Sequence, residues 1–395
     1  MRGTSDTANA SPAAKAARLK ICHLTTVHSA TDPRIFHKEC RSLARAGFEV
    51  TVIGPHPQDD LRDSVRIRSL RREPSRLARM TRTVWRLFSE ARSEGADLYH
   101  FHDPELIPVG LLLRARGKHV VYDIHEDLPK DVLSKPYLPK WSRAPISWAM
   151  NLVERLACGR FSGLVAVTPS IADRFQNINR RTVVVHNFPY TDELVQGATA
   201  IPWSSRRPAV TYVGGIMIQR AIKEMVAAMH LLPASLPATL ELAGPEILTA
   251  EESAQLRKDA GWSRTQYHGF LNQPQTFDIL RNVRAGLVLF HPEPNHLEAM
   301  PQKIFEYMGA GLPVIASDFP LWRRILGDAG CGIFVNPESP AEIAKAIEYV
   351  LTHPGEAEAM GRRGQAAVLE RFNWRSESQK LVALYDEIGN RPCAA

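Results

Sequence analysis

The segment EAMPQKIFEYMGAGLP, Glu298 to Pro313, lies between two short apolar runs, Gly286–Phe290 and Pro313–Ala316. Pro301 suits a first helical turn, where a missing N–H is harmless, and Gly311 suits the position just past a helix end. The spacing predicts a helix from about Pro301 to Ala310 that joins two buried strands, one unit of a parallel α/β sheet. The N-terminus of that helix carries free N–H groups and partial positive charge, which together make an anion site. Lys303 falls in the first turn, where a cation opposes the dipole unless a phosphate is also present. Glu306 follows one turn later on the same face, where a carboxylate could accept hydrogen bonds from a ribose diol. Glu298, in the loop before the helix, could hold hydroxyls of a sugar. The same residues also fit a capped helix with a solvated Lys–Glu pair.

Outward from this segment, β-rich runs alternate with helical patterns. In the first half the expected strands are Lys20–Thr26, Val50–Gly54, Val65–Ser69, Leu98–His102, His119–Ile124, Leu164–Val167 and Val183–His186. A second series runs Ala209–Val213, Thr239–Ala243, Gln266–His268, Gly286–Phe290, Pro313–Ala316 and Gly332–Val335. Several are unbroken apolar runs, as strands covered on both faces require. The expected fold class is α/β, with two Rossmann-like, doubly wound parallel-sheet domains facing across a cleft. Asn187–Pro208 is rich in Pro, Thr and Ser, lacks periodicity and reads as the linker. The domains are then residues 19–195 and 205–370. The last helical pattern breaks near Phe372, so residues 371–390 read as a helix crossing back to the first domain. Ligands of such folds sit at the C-terminal ends of the strands.

Bulk properties narrow the class. The chain has 395 residues, 44% hydrophobic and 23% charged, which suits a globular protein of two domains. Residues 1–18 lack an apolar core and read as a disordered tail, not a secretory signal. No apolar run reaches bilayer length. The five cysteines are scattered, without a CxxC pair, so neither a disulfide framework nor a cysteine-rich zinc site is expected, and a reducing cytoplasm fits best. The net charge of +7 and pI of about 9.2 favour anionic partners.

Other candidate residues stand at strand ends. Gly214 and Gly215 close the strand Ala209–Val213 and would let backbone approach a phosphate. Arg220, and after it Lys223, are the nearby cations. His125 ends the run Val120–Ile124, where catalytic groups of open sheets concentrate. Glu126 and Asp127 could orient its imidazole or cap the next helix. Asp103 could cap a helix starting at Pro104, and Asn187 follows another strand. No DxD pair stands at a strand end; Asp59 and Asp60 lie in a polar loop.

Glu298 and Glu306 are separated by seven residues and followed by FEYMGAGLPVIASD. This resembles the EX7E segment of retaining GT-B glycosyltransferases of family 4, especially bacterial polysaccharide-assembly members. The similarity extends over most of residues 19–390. It includes HLTTVHSATDPRIFHKECRSLARAGFEVTVI, DLYHFHDPELIPVGLL, VVYDIHEDLP, VAVTPSIADRF, VVVHNFP, YVGGI, LELAGP and YHGFL. The resemblance implies that Glu306 binds the nucleotide ribose and that Glu298 and His125 lie near the donor sugar and reacting centre. Gly214, Gly215, Arg220, Lys303 and the helix amides would contact the diphosphate. Where the family often has an arginine, this sequence has Gly215, so the load shifts to Arg220 and Lys303. His28 to Arg34 stand where many members carry a glycine-rich loop, and Asp32 and Arg34 would line the acceptor side. No metal and no cofactor are expected beside the nucleotide-sugar donor. The acceptor would be a saccharide, free or polyprenyl-linked, in surface or exopolysaccharide assembly.

Between Leu70 and Ser93, Arg71, Arg72, Arg76, Arg79, Arg82, Arg86 and Arg92 interleave with Leu77, Met80, Val84, Trp85, Leu87 and Phe88. Such a basic amphipathic helix could lie on an anionic membrane from the cytoplasmic side, with Trp141 and Trp148 extending the surface, or simply pack with its basic face solvated. Two other functions compete. A nucleotide-sugar epimerase of the same fold would need no acceptor. A nucleic-acid-binding protein would use the arginines, but no recognition motif accompanies them, so no nucleic-acid partner is expected. No GxGxxG follows the first strand, against a nicotinamide-dependent oxidoreductase.

Overall fold

The computed structural model describes residues 19–390 except 72, 74, 76, 77, 135–137, 191 and 200. The tail expected at 1–18, Cys393, and Arg72, Arg76 and Leu77 of the arginine-rich run lie outside the described residues. Two compact units are present. The first comprises residues 19–128, 144–184 and 380–390; the second comprises residues 129–143 and 185–379.

The first unit is built on β1 (Lys20–Leu24), β2 (Glu49–Pro55), β3 (Asp60–Arg62), β4 (Val65–Leu70), β5 (Leu98–Phe101), β6 (His119–Ile124), β7 (Gly163–Ala166) and β8 (Thr182–Val184). They stand in the order β3-β4-β2-β1-β5-β6-β7-β8, parallel throughout except where β3 pairs antiparallel with β4. The second sheet holds β9 (Ala209–Val213), β10 (Thr239–Ala243), β11 (Thr265–Tyr267), β12 (Ala285–Val288), β13 (Val314–Ser317) and β14 (Gly332–Val335), all parallel, in the order β11-β10-β9-β12-β13-β14. In each sheet the winding direction reverses once, between β1 and β5 and between β9 and β12. Such a switch point is the usual ligand position of doubly wound sheets.

Helices cover both faces, which is why the strands read as unbroken apolar runs. In the second unit Tyr212, Leu287 and Ile315 pack with the helix Ile222–Leu231. Their sequence neighbours Val288, Val314 and Ala316 point the other way, onto Ile304, Phe305 and Met308. Alternation of side chains along a strand thus gives two cores, one per face. In the first unit Phe101 stacks on Tyr122 at 4.5 Å, and both bury against Phe161.

Three segments differ from the sequence reading. Asp60–Arg62 forms an edge strand instead of a loop; a short, polar strand is what an exposed sheet edge tolerates. The stretch taken as a linker contains the helix Asp192–Thr199, and Leu194, Ala198 and Trp203 are buried. Two helical turns and a single i,i+4 apolar pair leave too little periodicity to detect. The arginine-rich run is a π-type turn, Arg79–Thr83, leading into the α-helix Val84–Glu94. Val84, Leu87 and Phe88 sit in the core, and Arg79 pairs with Glu105 at 2.9 Å. Met80 and Trp85 remain exposed. The final helical pattern divides into Pro354–Glu370 and Trp374–Gly389. Asn373 links the two, donating to the carbonyls of Val368 and Leu369 and accepting from the Ser376 N–H. Cys22, Cys40, Cys158 and Cys331 are free and buried.

Candidate active site

At the switch point of the second sheet, β9 ends in Gly214-Gly215, and the chain after β12 leads to the helix Gln302–Gly309. Pro301 is the residue before that helix, and no side chain caps its first N–H groups. The Val213 N–H donates to the Tyr307 hydroxyl at 2.8 Å, locking the helix against the end of β9. Gly286 makes room for the Tyr307 ring, which a Cβ there would strike. Gly214 has φ +140, and a Cβ on it would come within 2.5 Å of Lys303 Nζ. This position therefore needs glycine both for its backbone and for the approach of the lysine.

Two cations converge here. Lys303 Nζ stands 3.9 Å above the Tyr212 ring, and the Arg220 guanidinium lies 3.5 Å over the Phe290 ring. Neither makes an ion pair with a carboxylate among the described residues. Burial, and then repulsion from Arg220, pull the Lys303 pKa down from 10.5 to about 7, with Glu306 pushing the other way. Burial likewise lowers that of Arg220. Two partly desolvated cations resting on aromatic faces beside an uncapped helix end form a site that favours a dianion. Glu306 is half-buried one turn beyond Lys303. Glu298 is exposed and its carboxylate accepts from Lys130 Nζ at 2.9 Å. The loop carrying it is pinned by the Trp322 indole, which donates to the Ala299 carbonyl at 2.8 Å. The Asn187 carbonyl accepts from Gln302 Nε2 at 3.1 Å.

The first unit gathers a polar cluster at the ends of β1, β5 and β6. Its hub is Asp123, fully buried on β6. Its carboxylate accepts from Arg34 Nε at 3.0 Å and Arg34 Nη2 at 3.1 Å, and from His125 Nε2 at 3.0 Å. His102 Nδ1 lies 3.3 Å away. Burial alone would raise the Asp123 pKa, but Arg34 and His125 hold it well below the carboxylate range. With Nε2 turned to Asp123, the His125 ring has Nδ1 on its other side. Asp127, expected beside His125, pairs instead with Arg174 at 3.0 Å, so Asp123 is the residue that orients the imidazole. Arg34 is also turned inward, with Nε 2.9 Å from the Glu39 carboxylate. Asp32 caps the following helix, accepting from the Arg34 and Ile35 N–H groups. Burial opposes ionisation of Asp32, yet its hydrogen bond to His28 and those N–H groups bring its pKa to about 2. Asp103 caps no helix. Its carboxylate gathers the Thr25 hydroxyl and the Thr26 and Val27 N–H groups, fixing the turn after β1.

Sequence reasoning passed over Asp123, His23, His100, His102 and Glu39. The available signal was a charged residue inside the apolar run VVYDI, which a two-faced buried strand does not accept without partners. Glu39, His23 and His100 lie deeper still, stacked beneath His102, and burial above all lowers both histidine pKa values and raises that of Glu39.

Two doubly wound parallel sheets, one with Arg220 and Lys303 at its switch point and the other with the Asp123–His125 cluster, are the architecture of a GT-B glycosyltransferase. Residues 33–193 match the family described as Glycosyltransferase Family 4, and residues 199–367 match Glycosyl transferases group 1. The chain belongs to the family 4 glycosyltransferases of GT-B fold. Glycogen synthase of Mycobacterium tuberculosis is 24% identical over 190 residues, 47% of this chain and 45% of that protein. D-rhamnosyltransferase WbpZ of Pseudomonas aeruginosa is 25% identical over 300 residues, 73% of each chain. The chain spans about half the length of the first of these relatives. Among solved structures, sucrose-phosphate synthase from Thermosynechococcus elongatus superposes with a TM-score of 0.72 at 18% identity, covering 94% of this chain and all of that one. Anabaena Alr3699/HepE in complex with UDP and glucose gives 0.69 at 15% identity, covering 93% of this chain and 100% of that one.

Proposed function

We propose that the protein transfers a glycosyl group from a nucleoside-diphosphate sugar to a saccharide acceptor, with retention at the anomeric carbon. The observation that carries this reading is the pair of cations, Arg220 and Lys303, without an ion pair among the described residues, at the start of the Gln302–Gly309 helix. Negative charge builds on the departing diphosphate in the transition state, and preorganised cations stabilise it most where water is excluded. Glu306 holds the ribose, and Glu298, released from Lys130, takes hydroxyls of the transferred sugar. His125, with Nδ1 open and Nε2 fixed on Asp123, accepts a hydrogen bond from the sugar. The first unit binds the acceptor, and Asp32 and Arg34 shape that side through the helix they begin. No step assigned to these side chains calls for a metal. The match to a rhamnosyltransferase over 73% of both chains favours saccharide assembly. The glycogen synthase match keeps a growing glucan among the acceptors to be tried.

Thermal-shift screening against UDP-, GDP-, ADP- and TDP-sugars tests the reading. One donor at 100 times its Kd should add about 2.7 kcal/mol of stability. NMR of the product formed with an acceptor then reads the anomeric configuration. Free isomerised nucleotide sugar, formed without an acceptor, would mean an epimerase, and no stabilisation by any of the four classes would reject the proposal.

Binding of that donor should be linked to protons. The free protein loses the Lys303 charge as pH rises through about 7. A bound diphosphate favours the ammonium form and raises its pKa, so binding takes up a proton above that pH and weakens as pH climbs. Calorimetric titrations at about pH 8, in buffers of different ionisation enthalpy, should show uptake approaching one proton, with none at about pH 5.5. Equal heats in all buffers at both pH values would separate Lys303 from the diphosphate.

A further inference from the structure

We propose that the helix Lys140–Cys158 lays the protein on an anionic phospholipid bilayer. Trp148, Leu152 and Leu156 succeed one another at four-residue spacing, and Trp141 precedes them by two turns, so the four share one side of the helix. Their exposures are 67%, 42%, 57% and 82%. The other side is settled by Glu154, Ala157 and Cys158, which are buried. A helix packed on a sheet turns its large apolar residues inward. Here they face out, while the helix's single carboxylate, Glu154, faces in and meets Arg174 at 2.8 Å.

The charges left on this helix are cations: Lys140, Arg143 and Arg155, with Arg160 just beyond its end. Arg143, Arg155 and Arg160 hydrogen-bond to the main-chain carbonyls of Leu138, Arg174 and Leu156, and none of them makes an ion pair among the described residues. Exposed tryptophan and leucine flanked by such cations fit the headgroup region, rings at the interface and guanidinium groups on lipid phosphates. A second copy of this chain fits less well, because the helix itself would bring cations and no exposed carboxylate to a two-fold contact. Among the described residues no helix is long and apolar enough to cross a membrane, so this one lies on the surface. The arginine-rich run near Arg79 is a different element, with Val84, Leu87 and Phe88 already in the core.

The test sediments the intact protein with vesicles of phosphatidylcholine alone and with about 30% phosphatidylglycerol added. Binding should be at least about ten-fold stronger to the anionic vesicles and should fall steeply with salt. The double variant Trp148→Glu/Leu152→Glu should lose about ten-fold or more. Trp85→Glu, on the other helix, should change binding less than about two-fold. All these side chains are exposed, so melting and donor-induced stabilisation should match the wild type; that separates failure at the membrane from failure of the donor site. Three results would overturn the proposal: a double variant that pellets like the wild type, no preference for anionic vesicles, or a solution dimer that the double variant turns into monomer. The lipid and salt series on the wild type need no variant.

Discussion

Lys303→Ala is expected to lower kcat about 10²–10³-fold, the loss seen when one preorganised contact to developing charge is removed. Unlike an ordinary buried lysine it should not destabilise the fold. Its ammonium makes no ion pair among the described residues, stands near Arg220 and is partly desolvated, so it is held at a cost. Its removal should leave the melting temperature of the ligand-free protein unchanged or higher. The two effects run in opposite directions, which is the mark of a residue kept for binding. Arg220→Ala should act on the same diphosphate, and the double variant should lose less than the product of the single losses. Steady-state rates beside ligand-free melting curves check both parts. A variant that melts early and transfers normally would make Lys303 a packing residue.

Asp123→Ala should destabilise the first unit by about 3–5 kcal/mol, the usual result when one partner of a buried ion pair is removed. The carboxylate is fully buried and accepts from Arg34 and His125, with His102 Nδ1 3.3 Å away, so alanine takes from the Arg34 guanidinium its bidentate partner and leaves Glu39 as a buried carboxyl beside it. Glu39 is a weak substitute, because burial pushes its carboxyl toward the neutral form. Replacing both partners, Arg34→Met with Asp123→Leu, should recover most of the loss. Urea denaturation of the wild type, the single variants Arg34→Met and Asp123→Leu and their double gives the coupling energy directly. Additive losses would mean that the pair is not the clamp described here.

The sheet strands and the Gln302–Gly309 helix were legible because each reports itself locally. An apolar run, a proline at one end and a glycine at the other are enough to place such an element. Lys303 and Arg220, proposed to hold the donor, could be picked out for a similar reason, since Lys303 in a first helical turn is odd without an anion. Asp123 was not. Its role depends on Arg34, eighty-nine positions away, and on the parallel pairing of β5 with β6 that brings His102 alongside. His125 and Asp127 are close in sequence, but the strand end turns Asp127 toward Arg174. Neighbourhood along the chain was a poor guide there. The Asp192–Thr199 helix escaped because a short helix takes its stability from the surface it covers, through Leu194 and Ala198, and not from its own pattern.

A crystal structure with the nucleotide sugar selected by screening measures the central claim most directly. The diphosphate should lie between Gly214-Gly215 and the start of the Gln302–Gly309 helix. Its oxygens should be about 3 Å from Lys303 Nζ and the Arg220 guanidinium, with the ribose hydroxyls on Glu306. A diphosphate seated elsewhere, with Lys303 still resting on Tyr212 and Glu306 apart from the ribose, would contradict it.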